Sequence, residues 1–127
     1  MQLIQRNRNL KIGKLGEDYA EDFIKTQGYK ILERNYRSKS WGEIDIIAMD
    51  GDTLVFIEVK TRLSQEFGYP EEQVRFYKFR SLKRSANYYK LKHPDSPESL
   101  RLDMVAVQLD PATNKPHKIR LFKNITE

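Results

Sequence analysis

The stretch GEIDIIAMDGDTLVFIEVKTR, residues 42–62, carries two carboxylates and an amine at a chemically useful spacing. Asp45, Glu58 and Lys60 form the pattern Asp-x12-Glu-x-Lys among Ile, Val, Leu and Phe. Carboxylates buried in such surroundings are normally paired or bound to a metal, because an unpaired charge costs several kcal/mol. Two oxygen donors close together, in a chain with 0 Cys and 2 His, suit a hard cation. Magnesium fits best, with manganese as a substitute. A lysine projecting the same way as Glu58 can hold a phosphate oxygen or act on a water. Together these groups are the equipment of metal-assisted phosphodiester hydrolysis. The same charges also fit an internal salt bridge, Glu58 to Lys60 or Asp45 to Lys60, at a sheet edge.

The elements that must position them are two strands, 43–49 and 53–60, joined by a tight turn at Asp50-Gly51-Asp52. Successive strand residues point to opposite faces. A two-residue turn then puts Asp45, Glu58 and Lys60 on one face. Ile44, Ile46, Ala48, Val55, Ile57 and Val59 share the other. The charged face turns apolar toward the turn, so both faces are expected to be covered, with the charges at one pole of a buried layer.

Around this hairpin the pattern predicts a helix over 13–27, with Leu15, Tyr19 and Phe23 on one stripe and a C-terminal cap at Gly28. Strands follow at 30–36, 101–109 and 117–123, with a second helix over 71–91. Residues 1–12 read as a loose basic arm. The order α-β-β-β-α-β-β implies an α/β fold, a mixed sheet of about five strands flanked by helices. A chain of 127 residues is read as one domain. Glu17 falls at the edge of the first helix's apolar stripe and can lean toward the sheet, although a first-turn acid also complements the helix dipole.

The net charge is +5. Residues 75–92, RFYKFRSLKRSANYYKLK, hold seven basic residues and no acidic one. Phe79, Leu82, Ala86 and Tyr89 form its apolar stripe. Lys78, Arg80, Lys83 and Arg84, with Arg62, form a candidate surface for nucleic-acid phosphates, with a solvated amphipathic face as the alternative. Trp41 either stacks on an unpaired base or packs against the fold. The absence of cysteine excludes disulfides and thiolate metal sites and fits a reducing compartment. No apolar run approaches a membrane span, and the opening residues lack the apolar core of a signal peptide, so a cytoplasmic protein without a membrane partner is expected.

Asp45 followed by Glu58-Val59-Lys60 resembles the PD-(D/E)xK nuclease superfamily. A wider set of residues resembles the YraN family of uncharacterised bacterial proteins. It comprises Gly13, Gly16-Glu17, Ala20, Gly28-Tyr29, Arg34-Asn35, GEIDIIA at 42–48, FIEVKTR at 56–62, Lys78, and Arg101 with Asp103. The arrangement of helix Glu, strand Asp and Glu-x-Lys is also similar to archaeal Holliday-junction resolvases. The resemblance implies a restriction-endonuclease-like three-layer sandwich. It implies that Asp45 and Glu58 are metal ligands with the Val59 carbonyl as a third, that Lys60 is the catalytic lysine, and that Glu17 is an accessory carboxylate. Ile44, not Pro, precedes Asp45, a departure from the superfamily pattern.

The expectation is a magnesium-dependent endonuclease acting on DNA phosphodiesters, with branched or structured DNA as the candidate substrate and a homodimer as the candidate assembly. The alternative is a nucleic-acid-binding module with little turnover, serving DNA repair or recombination. A third reading is a metal-free protein whose charged pole is a salt-bridge network.

Overall fold

A computed structural model of the chain describes residues 2–39, 42–63 and 80–125. The described elements are α1 (Gln2–Thr26), β1 (Lys30–Arg37), β2 (Glu43–Asp50), β3 (Thr53–Leu63), α2 (Arg80–Lys92), β4 (Leu100–Leu109) and β5 (Pro116–Phe122). The expected order α-β-β-β-α-β-β is the observed one. Residues 71–79 of the expected second helix, with Lys78 and Phe79, and Trp41 lie outside the described residues.

The strands form one mixed sheet in the order β1-β2-β3-β4-β5. All neighbours are antiparallel except β3 and β4, which are parallel and joined by the crossover that contains α2. The central hairpin pairs Asp50 with Thr53, Ala48 with Val55 and Ile46 with Ile57, so its loop is the two-residue Gly51-Asp52.

Both faces of the hairpin are covered, as its two apolar surfaces require. On one side Ala20 and Ile24 of α1 pack on Ile46, Ala48, Val55, Ile57, Val59 and Val105. On the other, Leu82, Ala86 and Tyr89 of α2 pack on Ile47, Leu54, Phe56 and Leu102. The result is an α/β/α sandwich. Ile44 departs from the expected alternation. It is fully buried but packs on the α2 side, although Ile46 and Ala48 face α1. The phase slips between Ile46 and Ile44, where pairing with β3 has ended and the neighbouring strand β1 carries Asn35 at φ +55°, while Ile44 itself stays paired with Tyr36 of β1.

Two further features set the frame. Helix α1 starts at Gln2, so residues 2–12 are helical where a loose arm was expected. Leu3, Ile4 and Leu10 on this stretch are exposed, so no buried stripe marks it as helix in the sequence. Its Gln, Arg, Lys and Leu residues are nonetheless good helix formers. The helix ends in a Schellman motif. Tyr29 N–H donates to Ile24 O at 3.0 Å and Gly28 N–H to Lys25 O at 3.1 Å, with Gly28 at φ +92°.

Toward the hairpin turn, Asp103 is fully buried and fully engaged. Arg101 grips it with Nε at 2.8 Å and Nη2 at 2.9 Å, Tyr29 OH donates to it at 2.7 Å, and Asn124 N–H at 3.0 Å. Arg101 also reaches Asp50 at 2.8 Å and holds that carboxyl below its ordinary range. This network ties the end of α1, the hairpin turn, β4 and the segment after β5 together.

Candidate functional site

The opposite end of the hairpin is where β2 and β3 part. Beyond Ile46 the strands no longer pair, and Asp45 turns its carboxylate to accept the Val59 N–H at 2.8 Å. That bond aims Asp45 across β3 toward Glu58. The gap opens into a cleft of about 720 Å³, room for a hydrated cation and a phosphodiester. Its floor is Asp45, Glu58, Val59, Lys60, Thr61, Arg62 and Leu63, and its wall is the α1 face carrying Arg8, Asn9, Ile12, Gly13 and Glu17.

Gly16 lets the wall stand where it does. It is buried directly over Thr61, and a Cβ there would lie 2.6 Å from Thr61 Cγ2 and 2.7 Å from Thr61 Cβ, with Oγ1 closer still. Glycine is the residue that permits this approach of helix to strand, and the approach carries Glu17 to the rim of the cleft.

The electrostatics of the floor are unfavourable as it stands. Burial, the Glu58 charge and, more weakly, the Glu17 charge push Asp45 up to about 8, against the Val59 hydrogen bond. Burial also raises Glu58, partly countered by Lys60. The Glu58–Lys60 pair expected of a structural salt bridge is present, at 3.5 Å. Asp45 has no such partner: among the described residues no cation pairs with it. The cleft therefore holds two carboxyls that resist joint ionisation and one ammonium beside them.

This donor set fits a hard divalent cation. All the donors are oxygens, they crowd one another, and a positive charge between them would relieve the repulsion. Among the described residues no three His, Cys, Asp or Glu side chains converge closely enough to enclose a metal by themselves. Glu17 lines the cleft but does not close on the pair. Its Oε1 lies 3.3 Å from Arg34 Nη2 on β1.

Of the residues singled out from sequence, the structure brings Asp45, Glu58, Val59, Lys60, Glu17 and Arg62 to one cleft. Arg62 is further held by Nη1 donating to Thr61 O at 2.9 Å. Arg80, Lys83 and Arg84 are exposed on α2, against the other face of the sheet, and do not line the cleft. Arg8 and Asn9 also line it, residues that the sequence does not single out because their stretch carries no buried stripe. The run of helix formers through residues 2–12 was the available signal. The role of Arg34 was missed because only the tertiary fold brings β1 beside α1.

A profile described as "Uncharacterised protein family UPF0102", the YraN family, matches residues 16–107. A UPF0102 protein of Caldicellulosiruptor saccharolyticus is 45% identical over 114 residues, covering 90% of this chain and 95% of the relative. A UPF0102 protein of Syntrophus aciditrophicus is 47% identical over 126 residues, covering 98% of this chain and 95% of the relative.

Proposed function

The chain belongs to the UPF0102 family, and from that premise and the cleft we propose that it is a divalent-metal-dependent nuclease hydrolysing DNA phosphodiester bonds. One observation carries the reading. Two crowded carboxyls, one of them without a cationic partner among the described residues, share a cleft with an ammonium group. A salt-bridge network built for stability would pair both carboxylates, because an uncompensated one is a net cost.

Asp45, Glu58 and the Val59 carbonyl would hold Mg2+ or Mn2+. The bound ion supplies Lewis acidity toward a phosphoryl oxygen and lowers the pKa of a water. The Val59 N–H holds Asp45 in place for that role. Lys60, anchored on Glu58, presents its ammonium to a non-bridging phosphate oxygen and orients the attacking water. Water oxygen bonds to phosphorus, the bond from phosphorus to the leaving sugar oxygen breaks, and the proton that the attacking water gives up to solvent in the open cleft is balanced by the one that the leaving oxygen takes from it. Arg8 and Arg62 at the cleft edge hold the flanking phosphates. The exposed Arg80, Lys83 and Arg84 extend phosphate contact along the outside of the fold.

No helix among the described residues is long and apolar enough to cross a membrane. With 0 cysteines, this suits a protein working on DNA in the cytoplasm.

The test is cleavage of labelled single-stranded, duplex, flap and four-way-junction DNA with Mg2+ or Mn2+. Wild type is run beside Asp45→Asn and Lys60→Ala. Metal-dependent cutting lost in both variants is expected, and the panel identifies the preferred substrate shape. Cutting that survives both removes the assigned site. Salt-sensitive binding without cutting would identify a binding module instead.

A further inference from the structure

Arg34 lies on β1 directly across from Ile46, one residue from Asp45. Its guanidinium serves three carboxylates of α1 at unequal distances. Asp18 Oδ1 is 2.7 Å away, Glu17 Oε1 is 3.3 Å and Glu21 Oε1 is 3.5 Å. Asp18 is the anchor. Glu21 has a second cation, Lys25, at 2.9 Å. Of the three acids only Glu17 lines the cleft. It is held by a long contact through one oxygen, while Asp45 and Glu58 face each other without a third acid among the described residues closing on them.

We infer that Arg34 is a positioning residue that holds the Glu17 carboxylate off the Asp45–Glu58 pair, so that a divalent cation entering the cleft competes with Arg34 for Glu17. This rests on the metal reading above. The asymmetry of the distances makes the exchange feasible. Glu17 can leave while the short Asp18 bond keeps the guanidinium partnered, so the switch exposes no unpaired buried charge. The Glu17 contact is partly solvated, so the competition is modest and the affinity is tuned, not abolished. The cleft thus binds the cation more weakly than three free carboxylates would.

The experiment is calorimetric titration of the full chain with Mn2+. Arg34→Met is expected to bind about two- to fivefold more tightly than wild type, the scale of one partly exposed ion pair. Glu17→Gln should lie within about threefold of wild type, because Glu17 is engaged elsewhere when the metal arrives. In the Glu17→Gln background, Arg34→Met should give no gain, which makes the effect a coupling between the two residues.

Three results overturn the inference while leaving the metal site standing. The first is Arg34→Met binding no tighter than wild type. The second is Glu17→Gln alone weakening Mn2+ by more than about tenfold, which would make Glu17 a resident ligand. The third is Arg37→Met, which removes an exposed cation from the same strand, giving an equal gain. If wild type binds no Mn2+, the metal reading falls and this inference with it. Should Arg34→Met fail to fold, Arg34→Lys, which keeps the charge, must bind within about twofold of wild type, and the Glu17→Gln limit still decides.

Discussion

Gly13 and Gly16 lie one turn apart on α1, and the structure predicts opposite outcomes when each becomes alanine. A Cβ at Gly13 meets nothing within 4 Å. Alanine there removes the helix penalty of glycine and should stabilise the fold by about 0.5–1 kcal/mol. At Gly16 the same methyl would stand 2.6 Å from Thr61 Cγ2 and 2.7 Å from Thr61 Cβ. Ordinary carbon contacts are about 3.5–4.0 Å, so the shortfall is close to 1 Å. Rotating Thr61 about χ1 moves its Oγ1 and Cγ2 but leaves Cβ where it is, so the helix must lift from β3. Overpacking of this kind costs about 1–3 kcal/mol, and the helix-propensity gain returns up to about 1 kcal/mol of it. Gly16→Ala should therefore lose about 1–2 kcal/mol net, a Tm drop of roughly 4–10 °C for a domain of this size. Urea unfolding of the two variants beside wild type measures both signs. The lifted helix carries Glu17 with it, so Gly16→Ala should also alter Mn2+ affinity. A Gly16→Ala variant as stable as Gly13→Ala would refute the close approach of α1 to β3, and with it the placement of Glu17. Combining Gly16→Ala with Thr61→Gly, which removes the clashing atoms, should recover about 1 kcal/mol relative to additivity.

Asp45→Asn should stabilise the metal-free protein in a pH-dependent way. The folded carboxyl titrates near 8 against an ordinary 3.8, so between those values the native state binds more protons than the unfolded chain and stability falls as pH rises. The asparagine keeps an acceptor for Val59 N–H and removes the charge. The variant should gain about 1–3 kcal/mol at pH 8, after allowing for solvent at the cleft, and nothing below pH about 3.5. A gain that does not change between those pH values would show that the charge of Asp45 is not its cause. Arg101→Met should cost about 3–5 kcal/mol in chemical denaturation, because it leaves the fully buried Asp103 carboxylate without its cation. Adding Asp103→Asn should restore part of that loss, and a cost below about 1 kcal/mol for Arg101→Met would count against the network.

The hairpin was legible because a strand's period of two is local. A two-residue loop sets the register of the hairpin as far as Ile46 and Ile57, and the apolar positions state that both faces are covered, whereas Asp45 lies in the phase slip and reaches the cleft through its bond to Val59 N–H. The order of elements followed for the same reason, each being announced by its own periodicity and turn residues. The make-up of the cleft floor was legible from residue type alone, as oxygen donors and an amine in greasy surroundings.

Local pattern failed where the deciding contact was distant in sequence. Ile44 left its face where β2 has parted from β3 and is paired only with β1, which is kinked at Asn35, a property of three strands together. Residues 2–12 became helix without a buried stripe, which brought Arg8 and Asn9 to the cleft wall. The basic residues of α2 look in sequence like partners of Lys60, but the crossover between parallel β3 and β4 lays that helix on the opposite face of the sheet from α1. Arg34 and Glu17 meet because β1 and α1 share one side of β2. Sequence by itself determined which groups could bind a hard cation and which strands would carry them, since composition and periodicity are properties of short stretches. Only the tertiary structure decided which carboxylate has no cation beside it among the described residues and which is held by Arg34, since ion pairing depends on distances across the fold that local spacing does not constrain.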